Sequence, residues 1–203
     1  WIKYEYDSYG RTVKEISPWL SSLISNPDEN AHHVTIYSYD PSYSQDSQLK
    51  EHFYHPRTVT VKIKGIVTQK TYHSYIQLSN ANIEHISEGC TDLSARFGNS
   101  SNLRTTEEYY PKGTNHPQSG KLYMIEYPDR RYDLYTYQNY TYKGSSALPG
   151  TDVKEIVIHG TKDKLSGIPN KMTRDITMRT AIGHVLMEET QVFDGLDIAS
   201  FQT

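Results

Sequence analysis

Alternating aromatic and apolar residues flank a Pro-Asp pair in residues 121–143 (KLYMIEYPDRRYDLYTYQNYTYK), and no other feature constrains the fold as strongly. Before the pair, Tyr123, Ile125 and Tyr127 fall at every second position, so a β-strand would place them on one face. Pro128 presets the backbone dihedral that the second position of a turn requires. A helix is disfavoured because this proline would lie in its interior. The segment therefore predicts two antiparallel strands joined by a tight turn.

The same strand–turn–strand pattern recurs elsewhere in the chain. Residues 4–13 (YEYDSYGRTV) place Asp7 and Gly10 at the first and fourth positions of a turn. Residues 37–41 repeat the Tyr-x-Tyr-Asp start, and residues 173–195 contain a more divergent copy. Recurring segments of this kind indicate a repeat architecture.

These segments resemble the Rhs or YD-repeat proteins. The family motif is similar to a Tyr-x-Tyr-Asp start, a short turn, Gly-Arg and an apolar strand, and residues 4–13 match it closely. Residues 120–137 (GKLYMIEYPDRRYDLYTY) resemble the linked form of the repeat, with Arg130 where that turn usually has Gly. The residues assigned to the motif are Tyr4, Tyr6, Asp7, Gly10, Arg11, Tyr37, Tyr39, Asp40, Tyr127, Pro128, Asp129, Tyr135, Tyr137, Gly183, Asp194 and Gly195.

The resemblance implies an all-β fold in which consecutive antiparallel hairpins form a twisted or spiralling sheet, as part of a shell. In the family's secreted bacterial forms the shell encloses a toxin polypeptide, and in teneurin-like forms it serves cell-surface adhesion. Residues 1–203 would then be one YD-repeat region of a longer chain, and their partners would be flanking repeats or another copy. A secreted or cell-surface location and a bacterial source follow from the same resemblance.

The resemblance also implies a structural, non-catalytic role. The family's autoproteolytic core lies near the end of the shell, and we find no counterpart of it in this sequence. We therefore expect no catalytic residues and no cofactor.

Charge and composition argue against several functional classes. Lys and Arg number 21 against 24 Asp and Glu, with no basic block, which argues against nucleic-acid binding. No stretch approaches the roughly 20 apolar residues of a membrane-spanning helix. The single cysteine, Cys90, excludes an internal disulfide, and no catalytic motif surrounds it. The 18 tyrosines suit thin sheets in which each ring is half-buried and its hydroxyl group stays in water.

Histidines and carboxylates form no recognisable metal or hydrolase motif. His32 and His33 are adjacent, so a strand would direct them to opposite faces, and no His-x-x-x-His or Cys/His spacing occurs. The Glu-Glu pairs at 107–108 and 188–189 would have to converge for glycoside hydrolysis. Of the alternatives to a structural role, a hydrolase is therefore the weakest. The stronger alternative is a free-standing β-sandwich module that binds glycan or protein through Tyr and Trp.

Four segments have specific local predictions. Residues 49–54 are expected to be a strand, and residues 57–69 one strand with Gly65 as a bulge or bend. Residues 154–159 predict a short strand followed by a loop over residues 160–171.

Further predictions concern residues 172–190, Gly10 and the two terminal segments. Residues 172–190 are expected to form strands, with a helix as the alternative that Gly183 disfavours. Gly10 is expected to adopt a positive φ. Residues 1–6 and 187–193 are strand-like and lack Lys-rich or Pro-blocked edges, so both should pair with further strands.

Overall fold

The computed structural model describes residues 1–19, 32–42, 49–113, 117–140, 152–162, 169–180 and 183–193. Asp194 and Gly195, which were assigned to the divergent copy of the repeat over residues 173–195, lie outside these ranges.

The described part of the chain contains twelve β-strands, and a short 3-10 helix spans Lys50–Tyr54. The strands are β1 (Lys3–Tyr6), β2 (Thr12–Ser17), β3 (His33–Ser38), β4 (Thr58–Ile63), β5 (Ile66–Gln77), β6 (Ile83–Gly89), β7 (Leu103–Tyr109), β8 (Leu122–Glu126), β9 (Arg131–Tyr140), β10 (Asp152–Lys162), β11 (Pro169–Arg179) and β12 (Val185–Phe193). Their hydrogen-bonded order is their order in the chain. The prediction of an all-β fold made of consecutive antiparallel hairpins is confirmed.

Contacts group the chain into two units, and each has its own buried residues. The first unit comprises Trp1–Gln77 and Glu84–Arg104. Ile16 on β2 and Val34 on β3 face each other in the strand register, and both side chains are fully buried. Burying an aliphatic side chain of this size contributes about 1.5–3 kcal/mol, so this cross-strand pair is the centre of the unit's core.

The second unit comprises Leu78–Ile83 and Thr105–Thr203. Its core lies on neighbouring strands β10 and β11, where apolar residues at alternate positions face the same side. The buried members are Ile156, Ile158, Ile176 and Met178, with Leu134, Leu186 and Met187 packed against them.

The prediction of a strand over residues 49–54 is wrong. Lys50–Tyr54 form a 3-10 helix, in which the N–H of His52 donates to the carbonyl of Leu49 at 2.8 Å. Leu49 and Phe53 are both buried. Two apolar residues four positions apart can share one face of a strand or of a helical turn, so their spacing alone could not separate the two structures.

The prediction of one strand over residues 57–69 is also wrong. Lys64 and Gly65 form a two-residue turn between β4 and β5, with φ values of 51° and 78°. Positive φ at both central residues is the geometry that matches the twist of paired strands. The bulge lies instead at Thr68, which the register skips and whose hydroxyl donates to the carbonyl of Val61 at 3.4 Å.

Strands β10 and β11 are longer than predicted. The strand predicted over residues 154–159 is present, but β10 continues to Lys162 and β11 begins at Pro169. The loop predicted over residues 160–171 is therefore wrong at both ends, and residues 163–168 lie outside the described ranges. The extension follows from β9, which offers partners as far as Arg131, opposite Thr161.

The prediction that residues 172–190 form strands is confirmed. Strands β11 and β12 pair antiparallel, with Ile176 opposite Glu189 and Thr177 opposite Glu188. The helical alternative fails because Gly183 has a φ of 89°, which closes a turn between the two strands.

Gly160 tests how tightly the second unit is packed. A Cβ atom at Gly160 would lie 2.8 Å from the ring of Tyr132, its cross-strand partner, which is buried. An aromatic ring packed over a strand glycine has no room for a methyl group. We expect Gly160→Ala to lower the free energy of unfolding by about 1–3 kcal/mol in urea denaturation.

Gly89 supplies the control for that substitution. A Cβ at this strand position would come no closer than 4.0 Å to the nearest heavy atom. Gly89→Ala should therefore be neutral or slightly stabilising. Equal unfolding midpoints for the two variants would contradict the packing described around Tyr132.

Candidate functional site

Four hairpins close with the same four-residue turn. The N–H of the fourth residue donates to the carbonyl of the first, as from Gly10 to Asp7 at 3.1 Å. The N–H of the first residue donates to the carbonyl of the residue that follows the turn, as from Asp7 to Arg11 at 3.0 Å. The four turns are residues 7–10, 78–81, 127–130 and 180–183, the last described only at its first and fourth positions.

The fourth residue of every such turn lies in the left-handed region of backbone space. Gly10 and Gly183 have φ values of 77° and 89°, whereas Ala81 and Arg130 have 69° and 68°. The prediction of a positive φ at Gly10 is confirmed. Arg130 adopts the conformation of the glycine that the repeat motif leads one to expect there, at the energetic cost that a Cβ atom brings.

The residue after each turn has its N–H bonded to a side-chain oxygen of the turn itself. The acceptor stands at the first position in two turns and at the third position in the other two. The donor–acceptor pairs are Arg11 to Asp7 Oδ1 (3.0 Å), His184 to Thr180 Oγ1 (3.0 Å), Asn82 to Asn80 Oδ1 (3.0 Å) and Arg131 to Asp129 Oδ1 (3.2 Å). Asp7 and Asp129 thus occupy different turn positions, but each accepts a hydrogen bond from the N–H of the residue that follows its turn.

Arg11 is buried at the first turn and fully engaged within the chain. Its Nε donates to Asp7 Oδ2 at 2.7 Å, and its Nη1 donates to the carbonyl of Phe53 at 3.0 Å. Its guanidinium carbon lies 4.1 Å from the ring centre of Phe53, 4.4 Å from that of Tyr39 and 5.0 Å from that of Tyr9. A cation surrounded by three rings and an aspartate is a structural group, so Arg11 is not available to a ligand.

The other motif residues have separate structural positions. Tyr39 donates from its hydroxyl to the carbonyl of Thr12 at 2.7 Å, and Asp40 accepts from the N–H of Ser42 at 2.9 Å. Tyr37 lies on β3, and Tyr39 and Asp40 follow its end, so this segment is not one of the four turns. Ser42 bonds lower the pKa of Asp40.

The second arm of the central hairpin carries Tyr135 and Tyr137, as predicted. Tyr137 is buried, with the Lys121 ammonium 4.5 Å from its ring centre, and Tyr135 accepts from the hydroxyl of Tyr110 through its carbonyl at 3.1 Å. Pro128 is exposed at the turn itself. These tyrosines pack the sheet.

A row of polar side chains crosses strands β9, β10, β11 and β12 in the second unit. His159 Nδ1 lies 2.6 Å from Asp133 Oδ1, and its Nε2 lies 3.1 Å from Asp175 Oδ2. Tyr127 donates to Asp133 Oδ2 at 2.9 Å, and Thr190 donates to Asp175 Oδ1 at 2.7 Å. Sequence patterns do not reveal this row, because its members are adjacent only through the strand register.

The row borders a groove of about 370 Å³. The lining residues are Tyr127, Arg131, Asp133, His159, Gly160, Thr161 and Thr173. Burial, together with its hydrogen bond to Asp133, raises the pKa of Tyr127 to about 12.

His159 is not arranged as a catalytic base. A general base needs one ring nitrogen directed at the substrate proton, whereas both nitrogens of His159 face carboxylates. The arrangement favours an imidazole that ties three strands together.

Neither Glu-Glu pair forms a hydrolase site. Glu108 is buried and accepts from the side-chain amides of Asn80 and Asn82 at 3.2 and 2.7 Å, while Glu107 accepts from Tyr109 at 2.9 Å. Glu107 and Glu108 are neighbours on β7, and Glu188 and Glu189 are neighbours on β12. Neighbouring residues of one strand point to opposite faces, so the two carboxylates of each pair do not converge.

Other chemical groups also lack a reactive setting. Burial raises the pKa of the Cys90 thiol, which lowers its thiolate fraction at neutral pH. Within the described ranges, no three His, Cys, Asp or Glu side chains group so as to hold a metal ion. No helix in this part of the chain is long and apolar enough to cross a membrane.

Comparisons of the chain with protein-family models, curated proteins and solved structures return no match.

Gly10 and Arg130 occupy equivalent turn positions, and exchanging their residue types should act in opposite directions. We expect Gly10→Val to lower the free energy of unfolding by about 1 kcal/mol or more, since a β-branched residue fits positive φ poorly. Arg130→Gly should raise it by about 0.5–1 kcal/mol by relieving the same strain. Chemical denaturation measures both, and changes of the same sign would contradict the shared turn geometry.

Tyr127 should make stability depend on alkaline pH. Its folded pKa of about 12 lies above the ordinary value of 10.0, so its contribution is intact below pH 10 and is lost as the pH rises towards 12. Replacing Tyr127 with Phe should reduce the slope of unfolding free energy against pH in that interval by about one proton. The control is Tyr54→Phe, since that ring is 62% exposed. Identical slopes in the two variants would refute the assignment.

Proposed function

We propose that this chain is a non-catalytic structural segment of an Rhs/YD-repeat shell, which encloses a toxin polypeptide or builds a large extracellular protein. The repeated hairpin turn supports this role, because the same device closes four hairpins of different sequence. Single hairpins are marginally stable in water, so a chain of them gains stability from neighbours on both sides.

The observation that carries the proposal is the character of the two terminal strands. The strand order places β1 and β12 at its ends, and in the described ranges each pairs with one strand. Tyr6 of β1 is 61% exposed and Val192 of β12 is 77% exposed. An edge strand with outward N–H and C=O groups and exposed apolar side chains is a template for further strands.

The engagement of the polar groups supports a scaffold rather than an enzyme. Arg11 is enclosed by rings and by Asp7, His159 is held between two carboxylates, and Glu108 is bound by two asparagine amides. Side chains committed in this way stabilise strand pairing and have little remaining capacity for substrate.

Sedimentation velocity at increasing protein concentration tests the open edges. The wild-type chain should self-associate through β1 and β12, and Lys substitutions there should reduce association by placing charge on each edge. The informative variants are Tyr6→Lys and Val192→Lys, alone and combined. The control is Ile66→Lys, since Ile66 is 70% exposed but lies beside the turn between β4 and β5.

A monodisperse monomer at millimolar concentration would contradict the proposal. It would instead favour the second candidate, a free-standing module that binds glycan or protein. The groove beside Tyr127 is the observation that favours this candidate, because it combines an aromatic ring with charged and hydroxyl groups.

A further inference from the structure

Five aromatic rings form a continuous row in the unit of Trp1–Gln77 and Glu84–Arg104. Tyr75 stacks on His52 with ring centres 4.2 Å apart and on His85 with ring centres 4.5 Å apart. His55 lies 5.2 Å from His52, and His73 lies 5.4 Å from His85. Two rings cannot share one face of Tyr75 at these distances, so the histidines form one pair on each side of it.

Within each pair, two ring nitrogens approach closely. His52 Nδ1 and His55 Nδ1 are 3.2 Å apart, and His73 Nδ1 and His85 Nε2 are 3.1 Å apart. A zinc–imidazole bond is about 2.0–2.1 Å long, so two nitrogens bound tetrahedrally to one ion lie about 3.3–3.4 Å apart. Each pair therefore already has nearly the spacing of a two-histidine chelate.

Regular backbone geometry holds both pairs in place. His52 and His55 are three residues apart at the end of the 3-10 helix, whose turn of three residues brings them to one side. His73 and Tyr75 alternate along β5 and share a face, opposite the buried Ser74. This spacing differs from that of the adjacent His32 and His33.

We propose that each pair chelates one divalent transition-metal ion that favours imidazole, such as Cu²⁺ or Zn²⁺. Two protein ligands leave the remaining positions to water, in keeping with the absence of any group of three ligating residues in the described ranges. The two sites are separate because Tyr75 stands between them. The proton that each nitrogen pair shares would move to the outer nitrogen of one ring, so that both inner lone pairs face the ion.

Copper titration of the intact chain tests the proposal. Isothermal calorimetry should show two saturable Cu²⁺ sites, and electron paramagnetic resonance should show imidazole nitrogens bound to the copper. Zn²⁺ should compete for both sites. The double variant His52→Gln/His85→Gln removes one ligand from each pair and should weaken binding at both sites at least about tenfold, since loss of even an outer-shell partner costs 10–100-fold.

The control is His184→Gln, which removes an exposed histidine from the turn before β12. This variant should keep both sites. Equal affinities of the double variant and the wild type would overturn the proposal. If circular dichroism shows that the double variant does not fold, the single variant His55→Gln and the electron paramagnetic resonance spectrum of the copper-loaded wild type test the proposal instead. A wild-type spectrum without imidazole nitrogens, or a full complement of sites in His55→Gln, would also overturn it.

Discussion

The hairpins depend on one local feature, a four-residue turn. Its fourth residue has a left-handed backbone conformation, and the N–H of the residue after the turn donates to a side-chain oxygen within the turn. At residues 7–10 this feature uses Asp7 and Gly10, and at residues 127–130 it uses Asp129 and Arg130. Reversing the chain in four residues fixes which residues pair beside the turn, as Tyr6 with Thr12 and Arg179 with Val185, and bulges shift the register further along these two hairpins.

The proposed scaffold role and the engagement of the polar residues rest on the same contacts. Side chains that would be reactive alone, such as Arg11 and His159, lie beside strand or turn partners that engage them. Contacts across the sheet and within the turns therefore engage these side chains in stabilising the fold. The pairing of β5 with β6 likewise brings His73 and His85 together on one side of the Tyr75 ring, with two ring nitrogens 3.1 Å apart, and the metal-site proposal rests on this arrangement.

Local patterns predicted the features that depend on local physics. The hairpin around Pro128 and the positive φ of Gly10 follow from alternation and turn chemistry. The prediction of strands β11 and β12 rested in large part on the resemblance to YD repeats. The pattern around Gly65 was ambiguous between a bulge and a turn, and the spacing of Leu49 and Phe53 did not separate a strand from a helical turn. The row through His159 was not predictable, because its members are brought together only by the register of four strands, β9 to β12.

Nuclear Overhauser contacts between the Hα protons of paired strands test most directly whether the turns fix the register. At the first turn Tyr6 pairs with Thr12 but Glu5 pairs with Lys14, so Val13 is skipped. The account predicts contacts from Tyr6 to Thr12 and from Arg179 to Val185 beside the turns. Beyond the skipped residues it predicts contacts from Glu5 to Lys14 and from Met178 to Met187. Contacts from Glu5 to Val13 and from Met178 to Leu186 would mean unbroken ladders, and would contradict the account.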